Sequence, residues 1–494
     1  MTLTLNPGQQ VLYDKIVDQS FSKLLVLGSG GVGKSATLCA AMSELARKGI
    51  TNMVLCAPTH LARLNITSKL DKDVAHLIET STVASLLLKF GIQKDDGSVQ
   101  FTSGKSDKID KYSIIALDEA SMLSEEDYML FMVSKAKVIF LGDFCQLPPV
   151  MAKSAVGKVK THTGTGNLEV ITLTQQMRQQ GIIHAAAERN RKAVWLPEES
   201  EVGSSGESIT VHDNDSEMIE KMIEAINSDS RGYNAVKYYR YIAYKNHKVR
   251  EVGKRVRDEV INRYFGFNPV NMPFIKDELL MMRENKKSIG YNGELVRVKS
   301  VKKDGRSHKY PWTSYEVVVS GSLGTGSVRT IPPCDYKILD DYVNSLQSRL
   351  RRHQIAGEQE SARIVLKEIK RIRSHWTMTQ YPLAVTTHKS QGSTIENVYL
   401  DTLSFARAPN RRALLYVGIS RASKTLHTVK IPTSLLLSRS EVNAAYRSAR
   451  SAYEDVTGDS YKRVLRYLGV STRTLEGKQI VTGYLESLVE DLKQ

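Results

Sequence analysis

The stretch that decides the fold is Leu24–Leu38, which reads LLVLGSGGVGKSATL. Its first four residues are apolar and predict a buried strand of a parallel sheet. Apolar residues then recur at helical spacing as far as Leu45, and Gly49 follows as a helix stop. The glycine-rich segment therefore lies between a strand and a helix, which indicates a βαβ unit.

That segment, Gly28–Ser35, matches the phosphate-binding pattern GxxxxGK[ST] in full. We expect its backbone N–H groups to surround the phosphates of ATP, with Lys34 placed on the outer phosphates and Ser35 as a ligand of Mg²⁺. A glycine-rich turn without a ligand is the alternative interpretation. The predicted nucleotide-binding residues of this loop are Gly28, Gly30, Gly31, Val32, Gly33, Lys34 and Ser35.

A second signal follows the apolar run Ile114–Leu117, where Asp118 and Glu119 stand at the end of a predicted strand. Ligands of parallel sheets bind at this carboxyl edge. We expect Asp118 to hold Mg²⁺ through its water shell and Glu119 to orient and deprotonate the attacking water. Gln146 follows a third strand and is a candidate sensor of the γ-phosphate. An Asp-Glu pair alone is common, however, and the Gln146 segment is also consistent with an ordinary loop.

Composition limits the partner and the number of domains. The 494 residues correspond to roughly three domains at ~150 residues each. Lys and Arg number 69 against 53 for Asp and Glu, and the net charge of +16 favours a polyanionic partner, nucleic acid before membrane. The four cysteines have no metal-binding spacing, and no signal segment or long apolar run is present. These features predict a soluble, cytoplasmic protein without a membrane partner.

The chain divides into two α/β domains, with a boundary that we predict near residue 190. Gly-rich turns between alternating apolar and polar residues predict an all-β insertion in the second domain. A helix with a basic surface follows, and it is as well explained by solvation as by contact with nucleic acid. The predicted limits are 1–190 for the first domain with a hairpin near 86–112, 191–273 with 377–430 for the second, 274–376 for the insertion and 431–494 for a helical extension.

Taken in order, the motifs of this chain resemble those of superfamily 1 helicases, in the RecD-like 1B branch, and most of all the Dda-type helicases of T-even bacteriophages. The likeness covers about residues 6 to 430. Beyond the loop, Asp118-Glu119 and Gln146, it is carried by Pro7-Gly8-Gln9, Ala57-Pro58-Thr59-His60, the segment from Leu173 to Arg178, the segment from Val385 to Gly392 and the segment from Tyr416 to Ala422.

This resemblance implies two RecA-like P-loop domains, with parallel sheets flanked by helices, that share one ATP and Mg²⁺ site. Gln9 is then the reader of adenine, and Gly392 lies at the nucleotide. Arg178 and Arg421 close on the γ-phosphate and stabilise charge in the transition state, together with Lys34.

The resemblance also implies a track for one DNA strand, in which small polar side chains contact phosphates without reading sequence. A hairpin turning at Asp96-Gly97 places Phe101 as a wedge at its tip, although Phe101 is equally consistent with a buried strand residue. The segment from Asn292 is similar to the turn that opens an SH3-like insertion. The predicted DNA-binding residues are Pro58, Thr59, His60, Thr82, Ser85, Phe101, Asn246, Thr387 and His388.

The implied function is ATP-dependent unwinding of duplex DNA by a monomer that travels 5′-to-3′ on single-stranded DNA. The implied setting is phage-type replication, recombination or repair in the host cytoplasm, on forked DNA and with a single-strand-binding or replisome protein as a possible partner. Two alternatives stay open from the sequence. One is a translocase that displaces proteins without processive unwinding, and the other is a DNA-binding factor switched by nucleotide.

Overall fold

The computed structural model describes residues 4–89, 91–93, 99–101, 109–149, 153–175, 177, 181–192, 194–269, 272–304, 310–405, 408, 410–431, 439–457 and short runs between 460 and 489. Strands and helices alternate from the start of the chain. The elements of the first lobe are α1 (Pro7–Val17), β1 (Lys23–Leu27), α2 (Lys34–Arg47), β2 (Met53–Ala57), α3 (His60–Thr67), β3 (Glu79–Thr82), α4 (Val83–Leu86), β4 (Gly91–Gln93), β5 (Val99–Phe101), β6 (Ile114–Leu117), α5 (Glu125–Val133), β7 (Lys137–Gly142), α6 (Val156–Gly164) and β8 (Glu169–Thr172).

The first lobe is built on a six-stranded sheet of order β3-β2-β6-β7-β1-β8. Its strand pairs are all parallel. Alternate residues of one strand enter two different cores, as Ile114 and Ile115 of β6 do, so the sheet is covered by helices on both faces. Because β6, β7 and β1 are neighbours, the residues that follow them meet at one edge of the sheet.

The hairpin predicted in this lobe is present as an antiparallel pair of β4 and β5, joined by residues 94–98, which lie outside the described residues. The register corrects one expectation. Phe101 pairs with Gly91, at the end of the ribbon farthest from the connecting segment, and therefore does not stand at the tip. Each of the two strands is three residues long.

The second lobe begins with α7, which precedes the boundary predicted near residue 190. The buried residues of this helix, such as Ile183 and Ala187, nevertheless pack with Leu414 in the core of the second lobe. The elements up to the insertion are α7 (Ile182–Lys192), β9 (Glu201–Val202), β10 (Ser208–His212), α8 (Asp215–Ser228), β11 (Tyr239–Ala243) and α9 (Asn246–Phe265).

The insertion contains a five-stranded antiparallel sheet of order β15-β14-β13-β12-β16 and a pair of helices. The apolar helical stripe that the sequence predicts is confirmed, since Val365, Ile369 and Trp376 are buried against α10. Its elements are β12 (Leu279–Met282), β13 (Leu295–Lys303), β14 (Tyr315–Gly321), β15 (Gly324–Thr330), α10 (Tyr336–Ile355), α11 (Gln359–His375) and β16 (Thr379–Gln380).

A buried ion pair fixes the insertion to the second lobe. Arg257 of α9 donates from Nε to Oε2 of Glu278 at 2.8 Å, and both side chains are almost fully buried. The Arg257 guanidinium also lies 4.7 Å from the centre of the Tyr381 ring. Burying two charges is tolerated only when each is paired and hydrogen-bonded. The base of the insertion is therefore attached to the long helix α9.

After the insertion the chain completes a second six-stranded sheet, of order β17-β11-β18-β19-β10-β9. Its strand pairs are parallel except for the edge pair of β10 and β9. The α/β class of both lobes is thus confirmed. The remaining elements are β17 (Ala384–Thr386), α12 (Thr387–Ser390), β18 (Ile395–Leu400), α13 (Thr402–Phe405), α14 (Arg411–Ile419), β19 (Ala422–Val429) and α15 (Arg439–Thr457).

Candidate nucleotide site and nucleic-acid track

The loop between β1 and α2 has the shape of a phosphate cradle. Gly31 and Gly33 have positive φ angles of +93° and +84°, which a side chain would strain. A Cβ at Gly33 would also lie 2.3 Å from Nε2 of Gln9. The backbone thus turns where its N–H groups begin helix α2, as anion binding requires.

Lys34 lies over this loop, with its Nζ donating to the carbonyl oxygens of Gly28 at 2.6 Å and Ser29 at 2.8 Å. Burial lowers the pKa of Lys34, and the carboxylate of Asp143 is the strongest of the opposing influences. A buried ammonium group whose hydrogen bonds go only to neutral carbonyl groups is stabilised further by an anionic partner. The observed position of Lys34 therefore fits a phosphate ligand.

The residues expected to hold Mg²⁺ are in contact. Ser35 donates from Oγ to Oδ2 of Asp118 at 3.0 Å, and Oδ1 of Asp118 accepts from the backbone N–H of Glu119 at 3.0 Å. A hydroxyl and a carboxylate beside a phosphate cradle are suitable ligands for a small, hard cation. In the described part of the chain, no cluster of three or more His, Cys, Asp or Glu forms a separate metal site. The donor set therefore fits Mg²⁺ held jointly with phosphate.

Glu119 occupies the unusual left-handed region of backbone space, with φ of +52°. Such a conformation costs energy for a residue with a Cβ and is typical of functional sites. The turn redirects the chain after β6, so that Asp118 and Glu119 both reach the cavity. Burial raises the pKa of Glu119 to about 6, with a further increase from Asp118 and an opposing decrease from Arg421. A carboxylate with this pKa is a suitable general base near neutral pH.

The second lobe completes the cavity. Its residues Gly392, Lys424 and Arg421 line the same space of about 930 Å³ as the loop, Asp118, Glu119 and Gln146. Arg421 is held in position because it donates to the carbonyl oxygens of Val417 and Ser393, each at 3.1 Å. One nucleotide-sized cavity is therefore shared by both lobes.

Several hydrogen bonds cross between the lobes beside the cavity, and three of them involve Asp143 or Gln146. Tyr416 donates from its hydroxyl to Oδ2 of Asp143 at 2.5 Å, and Arg191 of α7 donates to Oδ1 of the same carboxylate at 3.2 Å. The third joins Nε2 of Gln391 to Oε1 of Gln146 at 3.2 Å. The sequence assigned no role to Asp143, Tyr416, Arg191 and Gln391, although Tyr416 and Gln391 lie within two of the motif segments. The available signal was a carboxylate directly after β7, at the ligand-binding edge of the sheet.

Gln9 and Arg178 are two predicted nucleotide-binding residues whose roles the contacts above do not establish. Gln9 lies against the loop, but its Oε1 accepts from the backbone N–H of Asn6 and its Nε2 donates to the carbonyl of Val32, both at 3.0 Å. One donor hydrogen of the Gln9 amide remains for adenine. Arg178 lies outside the described residues, and its predicted role as an arginine finger stays a prediction.

The predicted strand-binding residues fall at equivalent edges of the two sheets. In the first lobe they follow β2 and β3, where Ala57 pairs with Thr82. In the second they follow β11 and β17, where Ala243 pairs with Thr386. The residues brought to these edges are Pro58, Thr59, His60, Thr82 and Ser85 in the first lobe and Asn246, Thr387 and His388 in the second.

Several of these side chains also have structural roles. Thr59 and Thr82 cap helices α3 and α4 by accepting from the N–H groups of Ala62 and Ser85. Thr387 is fully buried and donates to the carbonyl of Ala243 at 3.5 Å. The Thr387 hydroxyl therefore faces the protein interior in this structure. In the first lobe Thr82 is also buried, whereas Thr59 is exposed.

Two protein families match parts of the chain. Residues 4–201 match the family described as an AAA domain. Residues 382–429 match the family described as a UvrD-like helicase C-terminal domain. The first match contains the phosphate cradle, Asp118 and Glu119, and the second contains Gly392 and Arg421. Each of the two matched regions thus supplies one wall of the shared cavity.

Two curated proteins are similar to parts of the chain. An uncharacterized protein of Acanthamoeba polyphaga mimivirus is 34% identical over 168 residues, which cover 29% of this chain and 33% of that protein. The RecD subunit of the RecBCD enzyme of Buchnera aphidicola is 21% identical over 454 residues, covering 82% and 69%. This chain therefore spans only a third of the length of the mimivirus protein.

Among solved structures, Pif1 helicase from Candida albicans has a TM-score of 0.48 and 15% identity, covering 91% of this chain and all of that one. Pif1 helicase from Bacteroides, in complex with ADP-AlF3 and single-stranded DNA, has a TM-score of 0.48 and 16% identity, covering 91% and 98%. Within the described residues, no helix has the length and apolar character needed to cross a membrane.

Proposed function

We propose that this protein is an ATP-driven DNA helicase whose two lobes close and open around one nucleotide. The observation that carries the proposal is the position of Arg421. This cation of the second lobe lines the same cavity as the phosphate cradle of the first. A site divided between two lobes can convert a change in the nucleotide into a change in their separation.

Each residue of the cavity has a separate role in ATP hydrolysis. Ser35 and Asp118 would hold Mg²⁺, which would supply positive charge at the phosphates of ATP. Glu119 accepts a proton from the water that attacks the transferred phosphoryl group. Lys34 and Arg421 oppose the negative charge that develops in the transition state. Gln146, bonded to Gln391 across the lobes, reports the phosphate state to the second lobe.

Coupling to a strand follows from the arrangement of the two sheets. Each lobe presents small polar residues at the carboxyl ends of its two outermost strands on one side, and contacts of this kind fix phosphates without reading bases. When the cavity closes, the distance between the two sets changes, and alternating grip moves the protein along the strand. The net charge of +16 supports binding that weakens steeply with salt.

The finer proposals rest on the likeness to Dda-type helicases. We propose that the protein acts as a monomer that travels 5′-to-3′ on single-stranded DNA and is active at forked DNA. We also propose that it works with a single-strand-binding or replisome protein in phage-type replication, recombination or repair. We also propose that the insertion is SH3-like, that the predicted order of domains holds with the second lobe beginning at α7, and that Arg178 acts as a second arginine finger.

A specific observation favours a second candidate, a translocase that displaces proteins but does not unwind processively. The wedge assigned to Phe101 loses its position at the hairpin tip because Phe101 pairs with Gly91. The role of Phe101 as a wedge stays a prediction, and the translocase is the candidate that needs no wedge at this position. If Phe101→Ala fails to reduce strand separation, the result favours the translocase over the wedge at Phe101.

The test is strand displacement on duplexes that carry a single-stranded overhang at only one end. The proposal predicts ATP-dependent unwinding of the substrate with a 5′ overhang, little unwinding with a 3′ overhang, and none by Lys34→Ala. Movement with displacement of a bound protein, but without strand separation on either substrate, favours the translocase. Absence of ATP hydrolysis by the wild type in the presence of single-stranded DNA contradicts both candidates.

A further inference from the structure

A second contact between the lobes lies away from the nucleotide, where the insertion reaches back to the first lobe. The turn between β12 and β13 brings Tyr291 onto His60, which begins helix α3 directly after the predicted strand-binding residue Thr59. The two rings are stacked, with centroids 4.8 Å apart and an angle of 14° between their planes. Arg63 adds a cation 5.9 Å from the centre of the Tyr291 ring.

This aromatic pair is not part of a hydrophobic core. His60 and Tyr291 are both only half-buried, and neither belongs to the buried clusters of the described residues. Nδ1 of His60 is shielded from solvent and has no hydrogen-bond partner in the described part of the chain. A buried polar atom without a partner is costly in a purely structural contact. The pair therefore has the features of a ligand-binding contact.

The turn that carries Tyr291 is firmly supported. Glu294 accepts from the backbone N–H of Tyr291 at 2.9 Å, and Gly293 donates to the carbonyl of Met282 at 2.7 Å. Gly293 approaches the first lobe so closely that a Cβ there would lie 2.5 Å from Cδ1 of Leu61. On the opposite side, Arg63 is anchored by a hydrogen bond of 3.1 Å to Thr80. Both rings are thus presented by fixed elements.

Relative movement of the lobes changes the gap between these rings. The insertion is attached to α9 of the second lobe through Arg257 and Glu278, whereas His60 belongs to the first lobe. A nucleobase between two aromatic rings needs a separation of about 7 Å, so the gap has to widen by roughly 2 Å. Such a displacement is small for two lobes that move about a cleft.

We infer that His60 and Tyr291 form a clamp for an unpaired nucleobase, closed on itself when no strand is bound and holding a base between its rings when one is present. This inference rests on the proposed function, and it adds base stacking to a track that otherwise contacts phosphates. Every base has an aromatic face, so the clamp holds a strand without sequence preference. Opening and closing of the cleft then alternates the grip on the base.

The test separates base stacking from phosphate contact. Binding is measured for an oligo(dT) of roughly 12 nucleotides and for an abasic strand with the same number of phosphates. The proteins compared are the wild type, Tyr291→Ala, Tyr291→Phe and the matched control Tyr238→Ala. Tyr238 is also half-buried and lies under a cation, with Arg231 3.8 Å from its ring centre, but it precedes β11 at the opposite end of that strand.

The clamp predicts that Tyr291→Ala lowers the preference for oligo(dT) over the abasic strand by about tenfold. Tyr291→Phe and Tyr238→Ala should keep the preference of the wild type. A fluorescent aminopurine base in the strand gives a second readout, since stacking quenches it. Thermal unfolding of each variant shows whether the fold is intact.

An unchanged preference and unchanged quenching in Tyr291→Ala would overturn the clamp and leave the proposed function standing. Failure of the wild type to bind either strand would instead overturn the proposed function, and the clamp with it. A preference lost equally in Tyr238→Ala would show that the effect is not specific to the ring on His60, which also overturns the clamp.

Discussion

Two of the contacts between the first lobe and the rest of the described molecule differ in their chemistry. Beside the nucleotide cavity, the carboxylate of Asp143 is buried between Tyr416 and Arg191, and the contact consists of charge and hydrogen bonds. At the far contact, Tyr291 lies on His60 as one half-exposed ring on another. Charged and polar groups suit a phosphoryl ligand, and ring faces suit a base. The Asp143 contact is therefore suited to the nucleotide, and the contact between His60 and Tyr291 is suited to the DNA strand.

The largest expected effect concerns the nucleotide contact alone. Arg421→Ala should lower the rate of ATP hydrolysis by roughly a thousandfold, because a cation that stabilises the transition state is lost. Steady-state hydrolysis at saturating ATP and oligo(dT) measures the effect. Arg421→Lys is the matched control, and it should restore little since a lysine lacks the planar fork. A loss of less than about tenfold in Arg421→Ala contradicts the shared site.

The next effect tests the buried carboxylate. Asp143→Asn removes the charge that Tyr416 and Arg191 share, and hydrogen bonds to charged groups contribute about 2 kcal/mol. We expect hydrolysis to fall by about 30-fold through weaker closure, with a smaller loss in Tyr416→Phe, which leaves the Arg191 contact intact. The oligo(dT) preference over the abasic strand should not change. Hydrolysis equal to that of the wild type in both variants shows that this contact does not govern closure.

The pH dependence of hydrolysis tests Glu119. Burial raises the pKa of this carboxyl to about 6, so the base is protonated as pH falls through 6. Hydrolysis should therefore drop about tenfold between pH 7 and pH 5. The raised pKa also makes the stability of the protein depend on pH. The free energy of unfolding falls as pH rises from the ordinary value of 4.5 through about 6, because burial disfavours the charged form of Glu119 in the folded state. Glu119→Gln should thus unfold at a higher temperature than the wild type at pH 8, and an unfolding temperature equal to or below that of the wild type contradicts the assignment.

The smallest effect belongs to the far contact. Gly293→Ala places a methyl group against Leu61 at a φ of +89°, which should push the Tyr291 turn away and lower the oligo(dT) preference by about threefold. Gly266→Ala is the matched control. Its φ of +73° imposes similar backbone strain, but nothing lies within 4 Å of the added carbon. Equal effects of the two substitutions attribute the loss to strain rather than to the clamp.

Features that depend on residues close together in the chain could be predicted from the sequence. The strand, loop and helix around Lys34 depend on apolar runs and glycine positions within a few residues of one another. Asp118 and Ser35, predicted separately, are in contact because neighbouring parallel strands end at one edge. The α/β class and the antiparallel hairpin followed from the same kind of short-range pattern.

The contacts between the lobes could not be predicted from such local patterns. Asp143 and Tyr416 are 273 positions apart, and no local pattern pairs them. No local pattern marks Tyr291, because its neighbours form an ordinary turn signal and the ring that it stacks on belongs to another domain. The position of Phe101 in the hairpin depends on which residues of the two strands pair, and a turn sequence alone does not determine this register.

The central claim is that hydrolysis in the shared cavity is coupled to a strand. The most direct measurement is the rate of ATP hydrolysis by the wild type with and without oligo(dT), at saturating ATP. The account predicts that the strand accelerates hydrolysis by at least about tenfold, because only a bound strand brings Arg421 and the cradle into their reactive arrangement. A rate that is the same with and without the strand would contradict it and favour a protein that uses its nucleotide only as a switch.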